Sequence, residues 1–508
     1  MNKQLKVLVL CVLAMGLILG LATTGLAASP KDTVKVSLWT RVGSLDPYNN
    51  AGLADIFVAD QIFDNLFIMD EKTRKPMPNL ALSYKLINDT TWEFELRKGV
   101  KFSNGEPFNA AAVKYSFERV IDPKRKLYDM PNWKFLDHVE IVNEYMIRVV
   151  TKNPYPILLE KLAYDAFIYP PKYTEEKGDN YVNLNPIGTG PYRLVEWKQG
   201  EDIALEYQKN YWGKEPAIKK IIFRTIPEDA VSTGELITGG VDVVLALKPD
   251  QVPTVEKSKT AVLLTSPSNT VHFIQFDGDG RAGPTPFQKL EVRRAAYHAI
   301  DREAILKNVK LGLGCVLHGP LHPLYYQYDP SVKDIEPEYN PEKAKKLLAE
   351  AGYPNGFTAE IWAYINKEQV EAVQGYLSKV GIETKFNWYG ADEGALIKLR
   401  NSGKVKDMGV YSWATNISDA EYYLPYWLSY GNDRNYNNDK EVGDWLVEAG
   451  KTMDQKKRLE LYKKIQFRVV ERAYWIPLVG DVAVVGVNKD LNLFLVGEFA
   501  RFWLSSWK

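Results

Sequence analysis

Apolar and polar positions alternate over Val34-Lys35-Val36-Ser37-Leu38, the period-two pattern of a half-buried strand, and the run empties into the turn-forming Gly43-Ser44-Leu45-Asp46-Pro47. A strand that feeds such a loop is a common place to meet a ligand. Thr91 to Leu96 alternates again, with Trp92, Phe94 and Leu96 on one face and Glu93 and Glu95 on the other. Asn104-Gly105 then marks a turn, and Asn109 is placed to cap a helix from Ala110 to about Val120. Further on the period lengthens to that of helices. Val292, Ala295, Ala296, Ala299 and Ile300 form one apolar stripe beside Arg293, Arg294 and Asp301. Asn340-Pro341-Glu342 reads as a helix start, with a capping amide, proline at the first position and an early acid. Ala344, Leu347, Leu348 and Ala351 are its expected buried stripe, ended by Gly352. Leu461, Ile465 and Val469 stack at four-residue intervals between Asp454 and Val470. The pattern predicts a mixed α/β chain without repeats or a flexible linker.

The first residues break this alternation. Lys3 and Lys6 precede an apolar run from Val7 to Leu21, which closes on Gly25-Leu26-Ala27, the three-part layout of a secretory signal peptide cleaved after Ala27. Cys11 follows Leu10 and sits within the apolar run, so no lipid anchor is expected. Export without an anchor suggests a periplasmic location. Cleavage leaves about 480 residues, too many for one hydrophobic core, so two or three packed units are expected. The chain is 45% hydrophobic and 25% charged, with 64 basic against 64 acidic residues, which excludes a disordered tail and a polybasic nucleic-acid binder. Of the two cysteines only Cys315 outlasts cleavage, so no internal disulfide can form.

The chemistry of familiar catalysts is missing. There is no GxSxG elbow, no HExxH helix and no GxxxxGK[ST] loop. His318 and His322 have helical metal-ligand spacing, but Gly319, Pro320 and Pro323 argue against a helix there. Asp277-Gly278-Asp279-Gly280 hints at calcium, yet Gln288 stands where the loop needs glutamate, and a tight solvent-facing turn is expected instead. Cys315 has no evident partner base nearby in sequence and reads as a small buried or half-buried side chain. No metal and no cofactor is expected.

Several separate stretches carry a resemblance. They are Ser44-Leu45-Asp46-Pro47 with Gln61-Ile62-Phe63-Asp64-Asn65-Leu66, Pro78-Asn79-Leu80-Ala81, and Trp92 to Gly105. Gly188-Thr189-Gly190-Pro191-Tyr192 follows, with Asn210-Tyr211-Trp212-Gly213 and Gly240-Val241-Asp242-Val243 beyond it. Val292-Arg293-Arg294-Ala295, Ala299-Ile300-Asp301-Arg302 and Ala344 to Tyr353 complete the set. In this order they resemble the extracytoplasmic solute-binding proteins of ABC importers, family 5, which serve peptides, nickel chelates and some oligosaccharides and include the dipeptide- and oligopeptide-binding proteins. The resemblance implies an α/β, two-lobe periplasmic binding protein (class II-like, cluster C) with an extra subdomain on lobe one. Lobe one would take 28–70, 190–272 and 480–508, the extra subdomain 71–189, and lobe two 273–479. The crossings would lie near Val271-Phe273 and Leu478-Val479. The expected function is non-catalytic capture of a small solute by hinge closure and its delivery to a membrane permease and its ATPase, by a monomer.

The chain also departs from the pattern. In peptide-binding relatives a tryptophan, two small residues and an aspartate lie on lobe two, and the aspartate pairs with the peptide's amino group. Here that run is Trp413-Ala414-Thr415-Asn416, so the resemblance puts an uncharged amide where the anchor stood. Asp419 stands three residues later. No arginine occurs between Phe357 and Lys385 to clamp a carboxylate as in dipeptide-binding relatives. Candidate contacts implied by position are Arg41 and Val42, Trp388 and Tyr389, and Ser412, Trp413, Ala414, Thr415 and Asn416. Each aromatic has core packing as its alternative, and Arg41 the role of a solvated loop charge. The expected solute is a peptide or peptide-like molecule, the alternatives an oligosaccharide or other polar metabolite, and a hydrolase on the same scaffold is the remote one.

Overall fold

The computed structural model describes residues 32–49, 52–70, 73–197, 200, 202–390, 392–415 and 417–508. The expected export signal, residues 1–27, and the candidate contact Asn416 lie outside the described residues.

Most local signals act as their residues suggest. The strand Thr33–Leu38 and the strand Thr91–Leu96 form where the alternation lies. Asn109 caps the helix Ala110–Ile121 by accepting from the amides of Ala111 and Ala112. Asn340 accepts from Lys343 N at the head of the helix Pro341–Glu350, with Pro341 in the first turn, where a missing N–H costs nothing. In that helix Ala344 and Leu348 are buried while Leu347 stays half-exposed, so the buried stripe is narrower than the sequence pattern suggests. The turn Asp277-Gly278-Asp279-Gly280 faces solvent at Asp279, as expected, while Asp277 lies beneath it. Asp277 is 1% exposed, and its carboxylate accepts from the amides of Arg281 and Ala282 at 2.8 and 2.9 Å, so it organises the turn from beneath.

An eleven-stranded mixed sheet runs through both halves of the molecule. One end holds Thr33–Leu38 between Lys220–Thr225 and Val243–Val244, both parallel to it. The other end holds Phe357–Ala363 between Ile382–Trp388 and Met408–Trp413, again parallel. Two long antiparallel strands join the ends, Ala261–Phe276 and Trp475–Asn488. They pair from Ala261↔Asn488 to Gln275↔Trp475, with register shifts between Pro267 and Val271 and between Val271 and Phe273. Pro267 has no N–H to give to a ladder, so the pairing breaks where the chain passes from one half to the other.

Alternation along these strands feeds separate cores. Ile274 and Phe276 pack with the helices Leu290–Ala299, Pro341–Glu350 and Lys367–Ser378, whereas Val271 and Phe273 pack with Lys440–Lys451 and Gln455–Glu471. The first half has its own core, which continues into a four-stranded antiparallel sheet built from residues 81–151.

The stretches up to Trp212 that carry the family resemblance converge into scaffolding. A Cβ added to Gly188 would lie 2.1 Å from Ile62 O, and one on Gly190 2.6 Å from the same carbonyl. Their bare backbones therefore dock on Ile62, whose oxygen accepts from Gly190 N at 2.9 Å. Trp212 Nε1 donates to Asp64 at 2.9 Å, Arg97 lies over the Trp212 ring and donates to Asn79 O, and Asn79 Nδ2 donates to Asn65 O. Asp46 is buried against Arg119 and Tyr169. These motifs hold the first half together.

Candidate functional site

The crossing strand Trp475–Asn488 carries one charge inside an apolar run, Asp481. Its carboxylate accepts from His272 Nε2 at 2.6 Å, on the other crossing strand, and from Lys310 Nζ at 2.8 Å. Asn366 Nδ2 meets His272 Nδ1 at 2.9 Å, which leaves the ring proton on Nε2, towards Asp481. Burial works against the charged form of Asp481, but His272 and Lys310 together hold its carboxyl well below the usual carboxylate range.

Asp481, Lys310 and Asn366 border a cavity of about 180 Å³ between the halves. The first half closes it with Trp39, Phe57 and Leu247, and the crossing strand supplies Val482 to Val485. Glu498 completes the wall. Its Oε1 accepts from Ser268 Oγ at 2.7 Å and Thr270 Oγ1 at 3.3 Å, both on the crossing strand Ala261–Phe276 at its register shift. Burial pushes the Glu498 carboxyl up, and the two hydroxyls offset this only in part.

Beside the cavity a seam joins the halves. Arg74 is in the left-handed region at φ 54° and reaches from the first half. Its Nε donates to Ser418 Oγ at 3.2 Å and its Nη2 to Asn269 Oδ1 at 3.0 Å, while its carbonyl accepts from Tyr326 Oη. Asn269 Nδ2 in turn donates to Ile417 O and Ser418 Oγ, both at 3.2 Å. The loop that follows the Trp413 run is thus held by an arginine and an amide from outside it.

Among the described residues, none of the sequence candidates borders the cavity, and the run from Ser412 to Thr415 leads into the loop that the seam holds. Ser412 and Trp413 pair with His272 and Val271, next to the Asp481 cluster. Trp413 is half-buried, stacks on Tyr423 at 5.8 Å between centroids and leans on Tyr426 at 4.6 Å, with its Nε1 buried and unbonded. Ala414 is exposed, and Thr415 is buried with its hydroxyl accepting from Ile417 N at 3.0 Å. Tyr389 stacks on Trp362 at 6.0 Å, and Trp388 is exposed at the end of its strand. In the first loop Arg41 is exposed, whereas Val42 packs into the core of the first half.

Asp419 is engaged elsewhere. Its carboxylate accepts two bonds from Arg458, at 2.7 and 2.9 Å, and one from Gln327 Nε2 at 2.7 Å, all buried. It therefore has no free face for a solute's amine. Beside this pair, burial raises Glu421 to about 7, with Tyr462 Oη donating to it at 2.6 Å and Asp419 adding repulsion. Glu160, across the seam, is also raised by burial to about 7. The folded chain thus holds these protons more tightly than the unfolded chain does. Their stabilising share is complete below the ordinary glutamate range and is lost as the pH rises through about 7. Glu421→Gln is expected to melt higher than wild type at pH 8 and to lose that advantage by pH 4. Equal melting-temperature differences at both pH values would contradict this.

Cys315 does have a histidine within reach, since its Sγ lies 3.5 Å from His322 Nε2. Burial pushes the thiol up, and burial together with Arg74 pushes His322 down to about 4. Both groups are therefore neutral near pH 7, not a thiolate–imidazolium nucleophile. His318 is occupied by Glu336 at 2.7 Å.

Sequence reasoning missed Arg74, His272, Lys310, Asn366, Asp481 and Glu498. One of them had a legible signal: Asp481 is a lone acid within Ile476-Pro477-Leu478-Val479-Gly480 and Val482-Ala483-Val484-Val485, and a charge inside such a run needs a partner. Glu498 sits in no motif and lies 230 residues from Ser268.

A sequence model described as bacterial extracellular solute-binding proteins, family 5, matches residues 75–435. The chain is 30% identical over 498 residues to the glutathione-binding protein GsiB of Escherichia coli O157:H7, covering 94% of this chain and 95% of that protein. Among solved structures, the ABC transporter-associated periplasmic binding protein DppA of Helicobacter pylori, in complex with the peptide STSA, is similar with a TM-score of 0.79 and 26% identity, covering 94% of this chain and 98% of that one. NikA of Brucella suis in complex with Fe(III)-EDTA has a TM-score of 0.84 at 23% identity, covering 94% and 100%, a likeness in fold.

Proposed function

The chain belongs to the bacterial extracellular solute-binding proteins of family 5, and we propose that it captures a peptide or peptide-like solute in the cavity between its lobes and hands it to an ATP-driven permease. The observation that carries this reading is the cavity itself, walled by both halves and by the strand that crosses between them. A solute there touches Trp39 and Phe57 on one side and Lys310 and Asn366 on the other, so it is enclosed only when the lobes are together. Binding energy then goes into closure, and closure changes the face shown to the transporter.

We take the lobes to divide as 28–70, 190–272 and 480–508 against 273–479, with 71–189 as the added subdomain, and the protein to act in the periplasm as a monomer. No helix among the described residues is long and apolar enough to cross a membrane. The neutral Cys315–His322 contact offers no thiolate nucleophile. A cavity of about 180 Å³ holds a group little larger than an aromatic ring, so one end or side chain of the solute sits there and the rest lies along the seam towards Trp413. The cavity admits one end of glutathione or of a di- or tripeptide. It also suits a small polar metabolite, which is the second reading.

Thermal melting against glutathione, short peptides, oligosaccharides and organic acids tests the assignment. A true solute at a hundredfold excess over its Kd is expected to raise stability by about 2.7 kcal/mol. Turnover of the stabilising compound, or stabilisation by oligosaccharides alone, would overturn the reading.

A further inference from the structure

We infer that Glu498 anchors a primary ammonium group of the solute, which moves the amine site from the loop after Trp413 to the wall of the interlobe cavity. The inference rests on the interlobe cavity being the solute site. Two carboxylates face that cavity, and their surroundings differ. Asp481 is matched by Lys310 at 2.8 Å and His272 at 2.6 Å, so Lys310 is already committed, and the second lysine on the wall, Lys248, is exposed and pairs with neither carboxylate. Glu498 receives only the neutral hydroxyls of Ser268 and Thr270, both on Oε1. Among the described residues no lysine, arginine or histidine comes within ion-pair distance of it. Arg74 is near enough to act on Glu498 through space, but its side chain donates to the neutral Ser418 and Asn269.

The rest of the wall sets the cost of leaving Glu498 unmatched. Trp39, Phe57, Leu247, Leu313 and Val482 are apolar, and a carboxylate among such groups is costly unless a charge or several donors meet it. An ammonium brings one positive charge and three donors in a compact head, and an alkyl or peptide stem behind it fits the apolar walls. A carboxylate or phosphate placed there would meet Glu498 with like charge. The same surroundings explain how a chain without a carboxylate at position 416 can still select an amine. Asp419 cannot take over, because Arg458 and Gln327 occupy it.

The test compares pools of di- and tripeptides with free and with N-acetylated amino ends, titrated against wild type, Glu498→Gln and Glu498→Asp. Glutamine still accepts from Ser268 and Thr270, so the fold is expected to survive, and melting without solute checks this. Wild type is expected to bind the free pool at least about tenfold more tightly than the acetylated one. Glu498→Gln is expected to bind both alike, and Glu498→Asp to keep part of the preference. Equal binding of both pools by wild type, or an undiminished preference in Glu498→Gln, would overturn the assignment. A wild type that answers neither pool would overturn the peptide reading instead. The amine assignment is then decided by n-butylamine against n-butanol: stabilisation of wild type by the amine alone, lost in Glu498→Gln, supports it, and an equal response to both sinks it.

Discussion

Asp419→Ala is expected to destabilise the protein by about 3–5 kcal/mol, because it strands the Arg458 guanidinium in a site from which water is excluded. The side chains of Arg458 and Asp419 are 1% and 3% exposed, and the arginine is held in the charged form by that carboxylate despite its burial. The lost partner also leaves Gln327 Nε2 without an acceptor and removes the cap on Glu421 N. For a lobe of some 200 residues such a loss lowers the melting temperature by about 10 °C. Urea unfolding followed by circular dichroism would measure it, and a loss under 1 kcal/mol would show that the pair is not sealed from solvent. The same variant separates two roles for Asp419. If it served the solute's amine, the preference for free over acetylated peptides would disappear with it; as a structural partner of Arg458, it leaves that preference in place in whatever fraction folds.

Gly188→Ala is the second large effect. The added methyl would stand 2.1 Å from Ile62 O and 2.8 Å from Ile62 C, both backbone atoms that no rotamer change can move aside. The segment has to retreat, and the bonds Gly190 N to Ile62 O, Tyr192 N to Gln61 O and Ser103 N to Gly188 O stretch together. We expect a cost of about 3 kcal/mol. Gly234→Ala is the control: nothing lies within 4 Å of its added Cβ, and in the helix Asp229–Thr238 alanine is expected to stabilise by about 0.5–1 kcal/mol. Two variants of equal stability would refute the steric account.

The motifs that identify the family and the residues that wall the cavity are thus different sets. Gly188, Gly190, Asp46, Asp64 and Trp212 are recognisable in sequence because each is constrained by a fixed backbone or a buried partner. The cavity wall shows no such pattern. Trp413, the candidate singled out by resemblance, lies beside the register shift of the crossing strands through its pairing with Val271, one strand from the Asp481 cluster. Val42 packs into a core, although the loop that carries it was legible.

By itself the sequence determined the parts whose energetics are local. Asn109 and Asn340 cap helices because their side chains reach amides two or three residues away, and Thr33–Leu38 is a strand because its alternation suits one buried face. Only the tertiary structure decided which carboxylate meets an arginine. Asp419 and Glu498 are the same chemistry in the chain. One met Arg458, 39 residues away; the other met two hydroxyls 230 and 228 residues away and a cavity. Coulomb attraction and desolvation depend on distance in space, and separation along the chain does not report it.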